Sequence, residues 1–174
     1  RAHTVPVLAS GYSRPSPRAV LFGEVLFDHF PDGGSVLGGA PFNVAWHLQG
    51  FGTDPLLVTA VGEDAEGQDI LSRMEEWGMS ARGVQRNPER PTGRVEVSLR
   101  DGHPRFEIVP DQPWDHLGPD LARQAVSGEV VGLVYHGTLA LRDPTSSQAL
   151  SSLIHRTEAP VFVDVNLRSP WWTA

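Results

Sequence analysis

Short apolar runs alternate with amphipathic stretches along most of the chain. Ala19 to Phe27 is a near-continuous apolar run, which predicts a buried strand. Leu56 to Val61, Val130 to Tyr135 and Val161 to Val165 have the same pattern and predict three further buried strands. Strands without polar alternation are typical of a sheet that is covered on both faces.

Helical periodicity occupies the segments between these strands. The first predicted helix begins at Gly38–Pro41 and ends at Gly50, with its proline in the first turn, where a backbone N–H is not needed. Three more helices are predicted over Gly67–Trp77, Asp120–Val126 and Pro144–His155. Because strands and helices alternate, the pattern predicts an α/β fold with a parallel sheet.

The middle of the chain has a period of two. Polar and apolar residues alternate over Arg94–Leu99 and over most of Arg105–Val109, and Asp101–Pro104 forms a turn sequence between them. This arrangement predicts an antiparallel hairpin with one face in water. The predicted architecture is therefore a parallel α/β core that carries a small antiparallel flap at about residues 94–109.

The two ends of the chain differ from the rest. Residues 1–18 are rich in Pro and Ser and contain no apolar run, which predicts a poorly ordered leader rather than a signal peptide. At the other end, the strand Val161–Val165 is followed closely by Ala174. Because parallel strands need cover on both faces, we expect residues 19–174 to be the amino-terminal portion of one longer, truncated domain.

Composition narrows the chemistry. All 14 basic residues are Arg, so a Walker-type phosphate loop and a Schiff base are excluded. The absence of Cys excludes disulfides and zinc–cysteine sites, and a cytoplasmic protein is the expectation. The net charge of -7 and the lack of a long apolar window give no reason to expect nucleic acid or a membrane as partner. The seven His lack the spacing of a zinc site, so no metal site is predicted in this chain.

Candidate ligand-binding residues lie at the start of the first helix and after the first strand. Gly38 and Gly39 allow a ligand to approach the backbone, and the N–H groups of the helix start attract oxygen-rich or anionic groups. Asn43 offers a donor and an acceptor to a hydroxyl. Asp28 follows a strand, at the edge where open α/β sheets bind ligands. The alternative interpretations are a simple glycine turn, an Asn on a helix face and a turn-forming Asp.

A second group of candidates follows the last predicted strand. Asp164, Asn166 and Arg168 have the spacing D-x-N-x-R, which would place all three on one side of a continuing strand. Arg168 would be a fixed positive charge for a phosphate or a carboxylate. The alternative is an Asp that hydrogen-bonds a neighbouring loop and an Arg in solvent.

Taken together, these segments resemble the amino-terminal part of a ribokinase-like (pfkB-type) carbohydrate kinase, with the fructokinases as the nearest group. The ordered set of motifs is specific, although each motif alone is weak. The matching stretches are Gly23–Asp28 (GEVLFD), Gly38–Ala45 (GGAPFNVA), Val61–Gly67 (VGEDAEG), Trp77–Met79 (WGM), Pro91–Gly93 (PTG) and Asp164–Arg168 (DVNLR).

The resemblance implies a ribokinase-like fold, with helices on both faces of the parallel sheet and a β lid formed by the hairpin at about residues 94–109. It implies transfer of the ATP γ-phosphate to a hydroxyl of a small, fructose-like sugar, which would be the partner. Family likeness assigns roles to eight residues of this sequence. Those roles are sugar-hydroxyl binding for Asp28, Gly38, Gly39 and Asn43, a lid wall for Phe106 and Ile108, and a place near the substrate and the transferred phosphate for Asn166 and Arg168.

The resemblance also indicates what this sequence lacks. The family's N-x-x-E and G-x-G-D motifs, which hold the metal motif, the anion hole and the catalytic Asp, do not occur in it. We therefore expect the catalytic base beyond Ala174, assign no catalytic residue here, and expect the chain alone to be inactive. ATP and Mg²⁺ are implied as cofactors with sites mainly in the missing half, and K⁺ is a further candidate. The second lid strand, Arg105–Pro110, lacks the Tyr and Arg that related kinases often carry, so the sugar stays unspecified.

Two other functions fit the same residues. One is a non-catalytic sugar-binding or regulatory remnant that retains only the sugar half of the site. The other is a nucleoside-kinase relative, because the same scaffold also serves adenosine. A homodimer formed through the lid is a further expectation from the family, and the strand edges of an exposed hairpin could pair in that way.

Overall fold

The computed structural model describes residues 16–172. Nine strands and four helices follow one another in this region, together with two short 3₁₀ turns at Pro113–His116 and Leu139–Arg142. The elements are β1 (Arg18–Phe22), β2 (Leu26–His29), β3 (Ser35–Gly38), α1 (Ala40–Gly50), β4 (Leu56–Gly62), α2 (Ala65–Glu76), β5 (Val84–Asn87), β6 (Arg94–Arg100), β7 (His103–Ile108), α3 (Pro119–Ala125), β8 (Val131–Gly137), α4 (Pro144–Thr157) and β9 (Val161–Asp164).

Five of the strands form a parallel sheet, which we call the core sheet, in the order β5-β4-β1-β8-β9. The central strand β1 pairs with β4 on one side and with β8 on the other. This arrangement confirms the predicted α/β class and the parallel sheet. All four predicted helices are present, with ends that differ from the predicted ends by at most a few residues.

Hydrophobic clusters lie on both faces of the core sheet. Val20 and Phe22 point to one face, where they pack in a cluster with residues of α3 and α4. Leu21 points to the other face and packs with residues of α1 and α2. Because successive side chains of a strand alternate between faces, a strand buried on both sides must be apolar throughout. This is the physical origin of the unbroken apolar runs in the sequence.

The prediction of a single strand from Ala19 to Phe27 is wrong. The chain leaves the core sheet after Phe22, turns at Gly23 (φ 142°) and enters a different sheet as β2. A side chain at Gly23 would disfavour this backbone conformation, and its Cβ would lie 2.7 Å from Cγ of Pro41. The apolar pattern continues through the turn because the residues on each side of it are buried.

The second sheet, which we call the lid sheet, has the order β3-β2-β6-β7. The predicted hairpin is confirmed as β6 and β7, which pair from Val95 opposite Ile108 to Arg100 opposite His103. Both residues of its turn have positive φ, 52° at Asp101 and 76° at Gly102, as a tight two-residue hairpin requires. Two further strands join the hairpin: β2 lies parallel to β6, and β3 is antiparallel to β2.

The last described strand departs from its prediction. Val161, Phe162 and Val163 of β9 are 40%, 56% and 46% exposed, although the sequence predicted a buried strand. The physical reason is position, because β9 is the outer strand of the core sheet and pairs with β8 alone within residues 16–172. Strands β3 and β5 were not predicted.

The predicted leader lies outside the described residues over positions 1–15, and its final residue, Arg18, begins β1. The helices of residues 16–172 include none with the length and apolar character to cross a membrane.

Candidate functional site

A cavity of about 770 Å³ lies between the lid sheet, the start of α1 and the carboxyl ends of β8 and β9. Seven of the eight residues predicted from the sequence line it. The eighth, Gly38, lies next to the Asp28 carboxylate. The seven are Asp28, Gly39, Asn43, Phe106, Ile108, Asn166 and Arg168. The structure therefore brings together residues that are up to 140 positions apart in numbering, from 28 to 168.

The amino terminus of α1 forms one wall of the cavity. Gly39 has φ 107°, and a Cβ at this position would lie 2.6 Å from the backbone oxygen of Glu24. Only glycine permits this close approach, which directs the first turn of α1 toward the cavity. The backbone N–H of Ala40 donates to Oε1 of Glu24 at 3.3 Å. Asn43, one turn further, is exposed and presents its amide to the cavity.

Asp28 enters the cavity from the lid sheet. It lies on β2 and is half-buried, and burial raises the pKa of its carboxyl, while the neighbouring His29 lowers it. A Cβ at Gly38 would lie 3.4 Å from Oδ2 of Asp28, so the glycine leaves room beside the carboxylate. The prediction that Asp28 follows the first strand of the parallel sheet is wrong, because Asp28 lies within β2, an inner strand of the lid sheet.

The carboxyl end of β9 supplies the opposite wall. Asp164 ends the strand and accepts a hydrogen bond from the Tyr135 hydroxyl at 2.8 Å. The Thr138 hydroxyl donates to the backbone oxygen of Asn166 at 2.8 Å, which holds the following segment against β8. Burial and the neighbouring carboxylates raise the pKa of Tyr135, so this phenol stays a proton donor. Asp164, Asn166 and Arg168 all line the cavity, although the strand does not continue as the spacing argument required, because β9 ends at Asp164.

The lid wall comes from β6 and β7. Phe106 and Ile108 line the cavity, and Phe106 is 61% exposed. The buried Gln112 side chain binds both ends of the hairpin, since it accepts from the Arg94 N–H at 2.9 Å and donates to the Val109 oxygen at 2.9 Å. The base of the hairpin is therefore fixed while its cavity face stays accessible.

Glu24 is a cavity residue that the sequence reasoning missed. Its residue is only 5% exposed, and burial raises the pKa of its carboxyl to about 7, against the lowering effects of the Ala40 N–H and Arg142. Its Oε2 has no hydrogen-bond partner among residues 16–172. A signal was present, since Glu24 is the one carboxylate within the apolar run from Ala19 to Phe27. Buried carboxyls of this kind are enriched at functional sites.

Arg142 is a second residue that the sequence did not indicate. Its guanidinium lies 4.5 Å from the ring centre of Trp114 and 4.1 Å from that of Trp171, and the latter ring lines the cavity. It donates to Asp115 at 2.7 and 2.8 Å and to the Val109 oxygen at 2.9 Å. Arg142 thus connects the lid base to the cavity wall that Trp171 provides. His136, at the carboxyl end of β8, is buried and hydrogen-bonds the Gly137 oxygen.

The described lining is rich in oxygen acceptors and acidic overall. Glu24, Asp28, Glu107 and Asp164 contribute carboxyl groups, and Arg168 contributes a guanidinium. Residues 16–172 contain no cluster of three or more His, Cys, Asp or Glu that could hold a metal ion, so we assign no Mg²⁺ ligand to them. Such a lining suits a ligand with several hydroxyl groups, which can donate to carboxylates and accept from N–H groups.

Comparison with known proteins gives one family match. The pfkB family carbohydrate kinase pattern matches residues 19–174. Fructokinase-like 1 of the Arabidopsis thaliana chloroplast is 28% identical over 147 residues, which are 82% of this chain and 31% of that protein.

Solved structures show the same fold. A fructokinase with bound ATP from Xylella fastidiosa superposes with a TM-score of 0.79 at 21% identity, over 91% of this chain and 55% of that chain. An uncharacterised sugar kinase, PH1459, from Pyrococcus horikoshii in complex with ATP gives a TM-score of 0.77 at 23% identity, over 88% and 55%. The chain thus spans about half the length of these two solved structures and about a third of the length of the curated relative.

Proposed function

Because this chain belongs to the pfkB family of carbohydrate kinases, we propose that it is the sugar-binding part of an ATP-dependent kinase that phosphorylates a hydroxyl of a small, fructose-like sugar. The observation that carries the proposal is the cavity itself. Residues assigned by resemblance to the sugar, the lid wall and the phosphate converge there from the lid sheet, from the start of α1 and from the segment after β9.

Each wall has a distinct task in this proposal. Asp28 accepts hydrogen bonds from sugar hydroxyls, and the Asn43 amide both donates and accepts. Gly39 brings the first N–H groups of α1 close to the ligand, where they stabilise a developing negative charge. Phe106 and Ile108 exclude water from above.

Arg168 is the residue that fits a phosphate. Its guanidinium lies at the cavity and makes no ion pair within the part of the chain that the structure describes. ATP, when bound, would supply the γ-phosphoryl group, and Arg168 would hold its charge near the sugar hydroxyl. Mg²⁺ is proposed as the partner of ATP, with K⁺ as a further candidate. A cytoplasmic location and a homodimer through the lid sheet remain parts of the proposal.

Titration calorimetry with D-fructose tests the proposal. We expect the chain to bind fructose and Asp28→Asn to weaken that binding about tenfold, because a carboxylate is a stronger acceptor than an amide. Asp101→Asn at the exposed lid turn is the matched control, since asparagine tolerates the positive φ there. Absence of fructose binding, or equal affinities in both variants, would contradict the proposed function.

The non-catalytic sugar-binding remnant is the second candidate, favoured by the position of Asp28, Gly39 and Asn43 in one cavity of the described chain. An assay of ADP release tests the accompanying proposal that the chain alone does not turn over. We expect no sustained ADP release with ATP and fructose. Sustained release that Asn43→Ala abolishes would show that this chain is itself a complete kinase.

A further inference from the structure

Within residues 16–172, the cavity lining includes one buried side-chain oxygen that has no hydrogen-bond partner, Oε2 of Glu24. Asp164 is occupied by the Tyr135 hydroxyl, and Asp28 is half-buried and in contact with solvent. Glu24 differs, because its residue is 5% exposed, its Oε1 receives the Ala40 N–H, and its Oε2 has no partner in residues 16–172. A buried acceptor without a partner is unfavourable unless a ligand supplies one.

The surroundings of Glu24 define which ligand group fits. The Ala40 N–H comes from the start of α1, Arg142 from the 3₁₀ turn after β8, and Asp164 from the end of β9. Burial raises the pKa of Glu24 to about 7, so both forms of the carboxyl occur near neutral pH. A hydroxyl donates and accepts, and it therefore pairs with either form. A carboxylate only accepts, so it finds no donor in ionised Glu24.

The charges of the cavity lining also favour a neutral hydroxyl over a carboxylate. Asp28 and Asp164 line the same cavity as Glu24, and the described lining holds a single guanidinium, that of Arg168, on the exposed segment after β9. A ligand carboxylate placed beside Glu24 would meet negative charge from two further walls in a partly desolvated space. A neutral polyol meets no such repulsion.

We propose that Glu24 is a specificity-determining residue of this site, whose Oε2 hydrogen-bonds a sugar hydroxyl and which, with Asp28 and Asp164, selects neutral polyols over sugar acids. This inference rests on the proposed function and names its substrate class. Glu24 has this role in addition to holding the first N–H of α1.

Calorimetric titrations at about pH 8, where Glu24 is largely ionised, provide the test. The ligands are D-fructose and a keto-sugar acid of matched size. The proteins are the unmodified chain, Glu24→Ala, Glu24→Gln and Glu75→Gln, an exposed position on α2 that serves as the matched control. Thermal unfolding of each variant checks that it is folded.

We expect the chain to bind fructose at least about tenfold more tightly than the acid. Glu24→Ala should weaken fructose binding about tenfold, because the hydroxyl loses its partner, whereas Glu24→Gln should stay within about threefold. Glu24→Gln should also narrow the preference for fructose, since it removes one negative charge. The comparison of Glu24→Gln with the unmodified chain still tests the inference if Glu24→Ala does not fold.

Three outcomes overturn the inference, and they are distinguishable. If both Glu24 variants bind both ligands as Glu75→Gln does while Asp28→Asn still weakens fructose binding, Glu24 has no role in specificity and the proposed function stands. If the unmodified chain prefers the acid, the substrate class is wrong. If neither ligand binds to the unmodified chain, the proposed function itself fails.

Discussion

Strand β4 of the core sheet and strand β7 of the lid sheet have similar lengths but opposite environments. Every residue of β4 in the core sheet is buried, whereas five of the six residues of β7 in the lid sheet are exposed. The two strands differ in exposure because helices pack on both faces of the core sheet, whereas no helix covers the outer part of the β6–β7 hairpin in the described residues. We therefore expect β4 to contribute more than β7 to the free energy of unfolding, and the exposed side chains of β7 to be available for ligand contacts.

The cavity lies where the two sheets meet. Glu24 and Gly39 occupy the connections that lead from one sheet to the other, and Asp28 reaches the cavity from the lid sheet. Both hydrophobic clusters reach this junction, since Leu26 and Val95 belong to one and Val25 to the other, so the polar groups of the cavity lie at the edge of the two clusters. Four comparisons between variants, in order of decreasing expected effect, test how the two sheets and their junction contribute to stability.

The largest contrast should come from equal truncations of two phenylalanines. Phe22→Ala in β1 removes a side chain that is 1% exposed and should lower the free energy of unfolding by about 3–5 kcal/mol. Phe106→Ala in β7 removes one that is 61% exposed and should lower it by less than about 0.5 kcal/mol. Urea denaturation followed by circular dichroism measures both. Comparable losses would show that the lid sheet also carries stability.

The second effect concerns the buried carboxyl at the junction. The pKa of Glu24 in the folded chain is about 7, above the ordinary value of 4.5, so folding favours its neutral form. The contribution of Glu24 to the free energy of unfolding is complete below about pH 4.5, decreases as the pH rises, and levels off above about pH 7. The total decrease should be about 3 kcal/mol. Glu24→Gln should remove most of this fall.

Urea denaturation at several values between about pH 5 and about pH 8 provides the measurement. Glu75→Gln on the surface of α2 should reproduce the slope of the unmodified chain. Parallel curves for the unmodified chain and Glu24→Gln would mean that Glu24 is not the group that titrates.

A smaller loss of stability is expected from Asp64, which links the start of α2 to the segment just before β6. Asp64 caps α2 by accepting from the Gly67 N–H at 2.8 Å, and it also accepts from the Thr92 N–H at 2.6 Å, just before β6. Burial acts against its ionised form, but the hydrogen bonds from Thr92 and Gly67 prevail and lower the pKa of Asp64. Asp64→Ala should lower the free energy of unfolding by about 2 kcal/mol.

Asp143 offers a matched control for Asp64. It caps α4 through the Thr145 N–H alone, at 2.8 Å, so Asp143→Ala should lower the free energy of unfolding by about 1 kcal/mol. Equal losses for the two caps, measured by thermal unfolding, would show that the contact with Thr92 does not stabilise the junction.

The smallest effect should be confined to the lid turn. Gly102 has φ 76° and open space around it, so Gly102→Ala introduces only backbone strain, of about 1 kcal/mol. Hydrogen exchange should be faster at amides of β6 and β7 and unchanged in β1 and β4. Faster exchange in the core strands would indicate that the two sheets unfold together.

Much of the fold could be predicted because burial on both faces leaves a simple pattern. The strands β4 and β8 and all four helices follow from apolar periodicity and from glycine and proline positions. β3 (SVLG) and β5 (VQRN) escaped prediction because neither contains more than two successive apolar residues, and β5 is held by backbone pairing with β4. The break at Gly23 escaped because buried residues flank it on both sides.

The candidate site was predictable where residues carry recognisable motifs. Asp28, Asn43 and Arg168 come from short segments whose order indicated the family. Glu24 and Arg142 could not be assigned in the same way, because their significance lies in burial and in partners that are distant in sequence. A carboxylate within an apolar run is a useful signal only when the fold shows that it faces a cavity.

The stacking of Arg142 between two indoles has an optical consequence. Trp46 and Trp77 stack on each other with ring centres 5.1 Å apart, and Trp114 is fully buried. Neither these three nor Trp172 are among the described residues that line the cavity. Trp171 lines the cavity with one face against the Arg142 guanidinium. A ligand that displaces water there changes the polarity around this indole, and its fluorescence emission reports occupancy without any added label.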